Sequence, residues 1–317
     1  MSTQQLQRRR PYRPPGQLGG RTALNGSFKR RATIVGFLAP ALIILAAFVG
    51  WPMISALQLS FTDASGFGTP IFVGLDNYVR AFTDPNILRA MANTGLYAVL
   101  YTPVAIATAL LLALAVNSPR LPFRGFFRST LFLPFIVSLA VAAFAWSYLL
   151  DPQVGLVNYW LQSLGIRIGN VLQDPLLAMP TVVLVAVWKN FGFYMVIFLA
   201  GLQEIPTSLY EAAQLDGASN WKRFTNVTLP MLSNTMAFVV IVALIAALQA
   251  FDQIYVLTGG GPYRSTETIV MQIYQSGFKE LNLGFASALS YILLIVTLLL
   301  SLVQFLFFGR RGEDTAS

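Results

Sequence analysis

The chain has 317 residues, of which 56% are hydrophobic and 11% are charged, and its mean hydropathy is +0.63. Soluble domains carry roughly 25% charged residues, so this composition cannot cover a water-facing surface and indicates a membrane protein. The absence of cysteine and histidine excludes disulfides, thiolate and imidazole catalysis, and the usual zinc sites.

Six apolar stretches follow one another along the chain, each near the ~20 residues that cross a hydrocarbon core of about 30 Å. Because none alternates as a barrel strand would, helices are predicted. The predicted fold is an all-α integral membrane protein of six transmembrane helices with short cytoplasmic coupling helices. The six are predicted at Thr33–Leu57, Met91–Val116, Ser129–Leu150, Met179–Gly201, Asn234–Leu257 and Phe285–Phe308.

Basic residues are distributed unevenly between the two sides that these helices define. Of the 21 lysines and arginines, fifteen fall on one side, five fall on the other, and Lys189 lies within the fourth helix. Cytoplasmic loops carry the excess of Lys and Arg, so both termini are predicted to be cytoplasmic. The net charge of +8 is therefore a topology signal, and no nucleic-acid partner is expected.

The predicted membrane domain, residues 33–308, lies between two polar tails. Residues 1–32 are rich in Arg, Pro and Gly and are predicted to form a disordered basic cytoplasmic tail. This tail could contact anionic lipid headgroups, although a role in setting topology is the preferred interpretation. Residues 309–317 are predicted to form a second cytoplasmic tail.

The segment 203–230, between the fourth and fifth helices, combines helix formers with turn residues on the predicted cytoplasmic side. Pro206 suits the first turn of a helix, and Gly217 can adopt the left-handed conformation that ends one. Ser219 or Asn220 can cap a second helix. Two short helices joined at a tight Asp-Gly turn are therefore predicted.

This segment resembles the "EAA" loop of the permease subunits of bacterial ATP-binding-cassette (ABC) importers. The resemblance rests on Glu211-Ala212-Ala213, Asp216-Gly217 and Leu229-Pro230 at their observed spacing. In that family the loop docks into a groove of the ATPase subunit and transmits its closure to the membrane helices. The resemblance therefore implies an ATPase-coupling role for Glu211, Ala212, Ala213, Asp216, Gly217 and Pro230.

Two further strings are similar to those of the sugar-type permeases, specifically the maltose-permease-like half of a heterodimeric pair. They are Phe-Val-Gly-Leu-Asp-Asn-Tyr at residues 72–78 and Leu-Thr-Gly-Gly-Gly-Pro at residues 257–262. The maltose subunit also has additional N-terminal helices and a large external insertion, and this sequence has neither. The resemblance therefore implies the common six-helix core, importing a sugar or sugar-like solute. The alternative is a glycerol phosphate or a glycerophosphodiester.

The resemblance also implies partners, in the lipid bilayer of a bacterial inner (cytoplasmic) membrane. These are a second homologous permease, two ATPase subunits and an extracytoplasmic solute-binding protein. ATP and Mg²⁺ would be bound by the ATPase, because Arg264 stands where a Walker A motif counted from Gly259 needs its second glycine. No cofactor, metal site or catalytic residue is expected in this chain.

Polar residues at membrane depth predict a solute path, since ionisable groups there are costly. Lys189 lies roughly 15 Å from the outer end of the predicted fourth helix, and Asn190 and Tyr194 lie one turn apart on a neighbouring face. A cationic Lys189 would favour an anionic solute, whereas a neutral sugar would use it as a hydrogen-bond donor. The fifth helix is predicted to present, on one face, Gln249, Asp252 and Gln253.

Structural alternatives exist for these residues. Lys189 could pair with a carboxylate or carbonyl inside the bundle, and Asp252 could cap the end of the fifth helix. Trp146, Tyr148 and Trp188 could stack on sugar rings, although aromatic residues near membrane interfaces commonly serve as anchors.

Two other classes of membrane protein compete with the importer. An ion-coupled secondary transporter would need internal carboxylates and broken helices, and Asp252 is the one acidic candidate within a predicted helix. A membrane enzyme would need a convergent set of catalytic groups, which a chain without histidine or cysteine barely supplies. The subunit of an ABC importer is therefore the predicted function.

Overall fold

A computed structural model describes residues 23–165 and 169–313, with side chains from residue 33 to 165 and from 169 to 306. The described residues form helices and loops with two isolated β-bridges, in agreement with the predicted all-α class. In chain order, the first eight helices are α1 Ala23–Leu45, α2 Trp51–Leu59, α3 Asp76–Thr83, α4 Pro85–Asn117, α5 Arg124–Ile136, α6 Leu139–Leu149, α7 Leu156–Ser163 and α8 Ala178–Glu204. The remainder are α9 Thr207–Leu215, α10 Asn220–Arg223, α11 Leu229–Met231, α12 Ser233–Leu248, α13 Asp252–Leu257, α14 Ile269–Tyr274 and α15 Leu283–Glu313. The π-helical turns occupy Ala46–Gly50, Phe224–Thr228 and Gln275–Lys279.

Four apolar helical runs among the described residues are long enough to cross a membrane. They are Thr33–Leu59, Pro85–Asn117, Ala178–Glu204 and Leu283–Leu306, which correspond to the first, second, fourth and sixth predicted helices. The number of candidate membrane spans rises to as many as six if each of two bent pairs of helices is counted as one span. These pairs are Arg124–Ile136 with Leu139–Leu149, bent by 95°, and Asn220–Met231 with Ser233–Leu248, bent by 69°.

The third predicted helix is not continuous. It divides between α5 and α6 at Val137 and Ser138, so the prediction of one helix over Ser129–Leu150 was wrong. The break follows Pro134, whose ring lacks an N–H and crowds the preceding turn of the helix.

The fifth predicted helix is also interrupted. It ends at Leu248, and α13 begins only at Asp252, so the prediction of one helix over Asn234–Leu257 was wrong. The buried Oγ1 of Thr268 donates a hydrogen bond of 3.0 Å to the carbonyl oxygen of Ala250. This bond gives the interrupted backbone a partner that the helix would otherwise have supplied.

The chain forms two compact units, Met1–Ser55 and Ala56–Ser317. The described part of the first unit contains α1 and the beginning of α2. Helix α1 begins within the segment predicted as the first tail, and α15 continues into the predicted second tail. The remaining tail residues, 1–22 and 314–317, lie outside the described residues.

The core of the second unit lies where α4, α8 and α12 pack together. Glycine permits two close approaches to α8. A Cβ atom at Gly192 would lie 2.3 Å from the carbonyl oxygen of Leu131 in α5, and one at Gly201 would lie 2.4 Å from Oγ1 of Thr235 in α12. Small residues of this kind let membrane helices pack backbone against backbone.

Loops gather at one end of the second unit, and we name residues 60–66, 258–268 and 280–282 the loop end. Nδ2 of Asn93 in α4 donates to the carbonyl oxygens of Arg264 and Glu267, at 2.8 and 3.0 Å. The N–H of Gly284 donates to the carbonyl oxygen of Ala64 at 2.9 Å. Helix α12, about 24 Å long, separates the 258–268 part of the loop end from the 203–230 segment.

Candidate solute cavity and coupling segment

A cavity of about 220 Å³ lies at the interruption between α12 and α13. Asn190 of α8 lines it and lies near the middle of that helix, which runs from Ala178 to Glu204. The cavity therefore lies near the middle of a helix that is long enough to cross a membrane. Its lining residues are Tyr97, Tyr101, Leu139, Asn190, Ala246, Gln249, Ala250, Phe251, Asp252 and Gln253.

Hydrogen bonds and ring stacking hold one wall of this cavity in place. Nε2 of Gln253 donates to the hydroxyl oxygen of Tyr97 at 2.8 Å, and both side chains are buried. The rings of Tyr97 and Tyr101 are stacked with their centroids 5.6 Å apart. The hydroxyl groups of Tyr101 and Tyr194 lie 3.2 Å apart and share a hydrogen bond. The wall is thus both aromatic and polar.

Most of the predicted path residues meet at the cavity. Asn190, Gln249, Asp252 and Gln253 line it, although the last three flank an interruption and do not share one helical face as predicted. Tyr194 is absent from the lining and lies behind it through its bond to Tyr101.

Lys189, another predicted path residue, contacts an aromatic ring. Its Nζ lies 4.5 Å from the centroid of the Phe135 ring, a cation–π contact, and the residue is absent from the cavity lining. It interacts electrostatically with Asp252 without forming a close ion pair. Among the residues that line the cavity, Asp252 alone carries a charge.

Sequence reasoning missed Tyr97, Tyr101 and Phe251 as lining residues. A signal for the two tyrosines was present, because they lie four residues apart within an otherwise apolar span and so share a face. Phe251 had no such signal, since its position depends on the unpredicted interruption of the fifth helix. The described residues include no cluster of three acidic side chains that could hold a metal ion.

The 203–230 segment contains the short helix α9, a turn, and most of a helical run from Asn220 to Met231 that consists of α10, a π-helical turn and α11. The N–H of Ala218 donates to the carbonyl oxygen of Ala213 at 2.9 Å, and Gly217 has a φ of +70°. These features define a Schellman ending, which glycine favours. Oγ of Ser219 caps α10 by accepting from the N–H of Lys222 at 3.4 Å.

The surface of this segment is open and partly apolar. Glu211, Ala212, Asp216, Gly217 and Pro230 are exposed, and Ala213 is half-buried. Two large apolar side chains that sequence reasoning did not single out are also exposed, Leu215 by 90% and Trp221 by 71%.

A buried carboxyl group lies at the loop end. Glu267 is only 4% exposed, and its Oε2 lies 3.5 Å from Nε of Arg264. Burial raises the pKa of Glu267 above its ordinary value, and the positive charge of Arg264 offsets this in part.

A bundle of long apolar helices with a polar cavity beside the middle of one of them is typical of a membrane transport protein. Residues 105–311 match the family described as "Binding-protein-dependent transport system inner membrane component". The chain belongs to this family and is a multi-pass transport component of the inner membrane rather than an enzyme.

Relatives match over nearly the whole chain. The probable ABC transporter permease protein YurN of Bacillus subtilis (strain 168) is 36% identical over 88% of this chain and 96% of its own length. The sn-glycerol-3-phosphate transport system permease protein UgpA of Agrobacterium fabrum (strain C58) is 37% identical over 86% of this chain and 94% of its own length.

Solved structures share the fold. A chain of a bacterial ABC transporter involved in the import of the acidic polysaccharide alginate has a TM-score of 0.81 and 27% identity, over 90% of this chain and 98% of that one. A chain of a bacterial alginate ABC transporter in complex with alginate pentasaccharide-bound periplasmic protein has a TM-score of 0.78 and 28% identity, over 89% and 95%.

Proposed function

We propose that this chain is the membrane-spanning subunit of an ATP-driven importer that moves a sugar or sugar-like solute into the cytoplasm. The observation that carries the proposal is the polar, aromatic-walled cavity at mid-depth, where Asn190 of α8 meets the interruption after α12. Hydroxyl, amide and carboxylate groups on such a wall can exchange hydrogen bonds with the hydroxyls of a sugar.

Six spans complete the proposed topology, with α5 and α6 together forming the third span and the chain from α12 to α13 forming the fifth. Both termini and the 203–230 segment then face the cytoplasm, as the distribution of Lys and Arg indicates. The loop end faces the outside, where a solute-binding protein would deliver its ligand.

An ATPase partner is proposed to bind the 203–230 segment. Glu211, Ala212, Asp216 and Gly217 lie exposed on or beside α9, and Leu215 and Trp221 add apolar contact area. The bond of 3.0 Å between the hydroxyls of Tyr210 and Thr228 ties α9 to the turn that leads into the membrane. Movement of the ATPase would thus be passed to α12. ATP and Mg²⁺ are proposed to be held by the ATPase alone.

The other proposed partners follow from the family. A second homologous permease would complete the passage, two ATPase subunits would lie beneath the pair, and an external binding protein would select the solute. The periplasmic protein in one of the solved alginate transporter complexes supports the last of these.

Two solute classes compete within this function. Glycerol phosphate is favoured by the name of the UgpA relative. A neutral sugar is favoured by the charge of the cavity, because Asp252 would repel a phosphate and the Lys189 ammonium lies over Phe135 rather than in the lining. We therefore propose the sugar as the principal solute class.

Uptake by the assembled importer tests this proposal. Proteoliposomes holding the complete complex would be given labelled mono-, di- and oligosaccharides, neutral and uronic, and glycerol 3-phosphate. We expect ATP-dependent uptake of a saccharide, a loss of at least tenfold with Asn190→Leu, and near wild-type uptake with Lys189→Met. Uptake of glycerol 3-phosphate alone, abolished by Lys189→Met, would favour the competing class. Wild-type uptake by the Asn190→Leu variant would show that the cavity does not lie on the solute path.

A further inference from the structure

An uninterrupted cluster of aromatic side chains runs outward from the cavity. The ring of Phe251, which lines the cavity, lies 5.3 Å from Tyr255 and 5.1 Å from Tyr274, measured between centroids. Tyr274 in turn lies 5.6 Å from Phe278, and those two rings are stacked at 30°. We name these four residues the aromatic row.

The outer part of the row is accessible and carries polar groups. Phe278 is 74% exposed and Tyr255 is 39% exposed, whereas Phe251 and Tyr274 are half-buried. Nζ of Lys279 lies 5.7 Å from the Tyr255 ring and 5.8 Å from the Tyr274 ring. The ammonium group and two phenolic hydroxyls therefore accompany the ring faces along the same path.

This combination matches the chemistry of a sugar ring. A pyranose has an apolar C–H face that packs against an aromatic face, while its hydroxyls point sideways to hydrogen-bond donors and acceptors. Lipid tails could pack against the exposed ring faces. Contact with lipid would not account for a continuous series of rings that reaches a polar cavity.

We propose that the aromatic row is a binding track for saccharide rings, leading from the loop end to the mid-depth cavity. Phe278 forms its outer end, Tyr274 and Tyr255 with Lys279 form its middle, and Phe251 delivers the ring to Asn190 and Asp252. This inference rests on the proposed function, since it requires a saccharide as the solute.

Paired substitutions at Tyr274 test the track. Tyr274→Phe keeps the ring, whereas Tyr274→Leu removes it and keeps an apolar side chain. We expect Tyr274→Leu to slow uptake of the transported saccharide by roughly threefold to tenfold, as the loss of one aromatic contact would. Tyr274→Phe should stay within about twofold of wild type, and both variants should keep the wild-type melting temperature.

Different outcomes separate the failure of the track from the failure of the function. If Asn190→Leu blocks saccharide uptake and Tyr274→Leu does not slow it, the row is not a track. If both Tyr274 variants lose assembly with the second permease, the row is an interface between subunits. If no saccharide is transported at all, the proposed function fails and the track with it.

A cross-linking measurement covers the case in which Tyr274→Leu does not fold. Phe278→p-azidophenylalanine places a photoreactive ring at the outer end of the row. Phe123→p-azidophenylalanine is the control at a ring elsewhere that is slightly more exposed, 81% against 74%. During transport we expect labelled saccharide to couple at position 278 and not at position 123. Equal coupling at both positions, or none at 278, would overturn the proposal.

Discussion

Single glycines decide how closely the helices of this bundle can approach. At Gly192 an added Cβ atom would meet backbone atoms of α5, namely the Leu131 carbonyl oxygen at 2.3 Å and the Phe132 Cα at 3.0 Å. Backbone atoms cannot rotate away as a side chain can. The two helices would have to separate, at a cost typical of overpacking, about 1–3 kcal/mol.

We therefore predict that Gly192→Ala lowers the melting temperature of the detergent-solubilised protein. Gly95→Ala in α4 is the matched control, because no atom lies within 4 Å of its added Cβ and alanine is the better helix former. The control should keep or raise the melting temperature. Equal effects of the two substitutions would show that the close crossing of α8 and α5 does not limit stability.

At the residue scale, the sequence predicts the amide and carboxylate groups of the cavity but not its aromatic wall or its geometry. Asn190, Asp252 and Gln253 could be found because amide and carboxylate groups are conspicuous in apolar spans. Lys189 was equally conspicuous, yet it contacts the Phe135 ring. Which way a long side chain turns depends on neighbours from another helix, and those neighbours are not visible in one span.

Among the elements, the interruption between α12 and α13 shapes the cavity. It exposes polar backbone at membrane depth, which membranes tolerate where it lines a cavity or finds a partner. Thr268 supplies such a partner through its bond of 3.0 Å to the Ala250 carbonyl oxygen, and its side chain is fully buried. A carbonyl left unpaired there would cost about 1–3 kcal/mol.

We predict that Thr268→Val, which keeps the shape and removes the hydroxyl, lowers both the melting temperature and the rate of solute uptake. Thr268→Ser is the matched control, because it retains the donor and should remain close to wild type in both measurements. A Thr268→Val variant that is indistinguishable from Thr268→Ser would indicate that the hydroxyl does not support the interruption.

Hydropathy predicts helices at the element scale far better than it predicts breaks. The runs that include α8 and α15 were predicted to within three residues at each end and the α4 run to within six, because length and apolarity suffice for an unbroken span. The break after Pro134 could have been predicted from the sequence, because proline interrupts a helix. The break at residues 249–251 contains neither proline nor glycine. It depends on a partner from a distant loop, which a local pattern cannot reveal.

For the whole molecule, the six-span topology remains a prediction that cysteine labelling can test. The chain has no cysteine, so a single introduced thiol reports without background. With a membrane-impermeant maleimide on intact spheroplasts, we expect Tyr263→Cys in the loop end to react. Gln214→Cys in the 203–230 segment should react only after the membrane is opened. Labelling of Gln214→Cys from outside would contradict the proposed orientation.

Coupling to a separate ATPase is the central claim about the whole molecule. Gly217 has a left-handed backbone that Asn tolerates and Pro cannot adopt, because proline fixes φ near −65°. Gly217→Asn is thus the conservative variant and Gly217→Pro the disruptive one, while Glu211→Lys reverses an exposed charge without altering the turn.

The most direct measurement is ATP hydrolysis by the complete complex in nanodiscs, with and without its solute-loaded binding protein. We predict that the loaded binding protein stimulates the wild type and Gly217→Asn. Glu211→Lys and Gly217→Pro should lose that stimulation by at least tenfold or fail to retain the ATPase. Full stimulation of both disruptive variants would contradict the account, because the 203–230 segment would then not be the connection between ATP hydrolysis and the membrane helices.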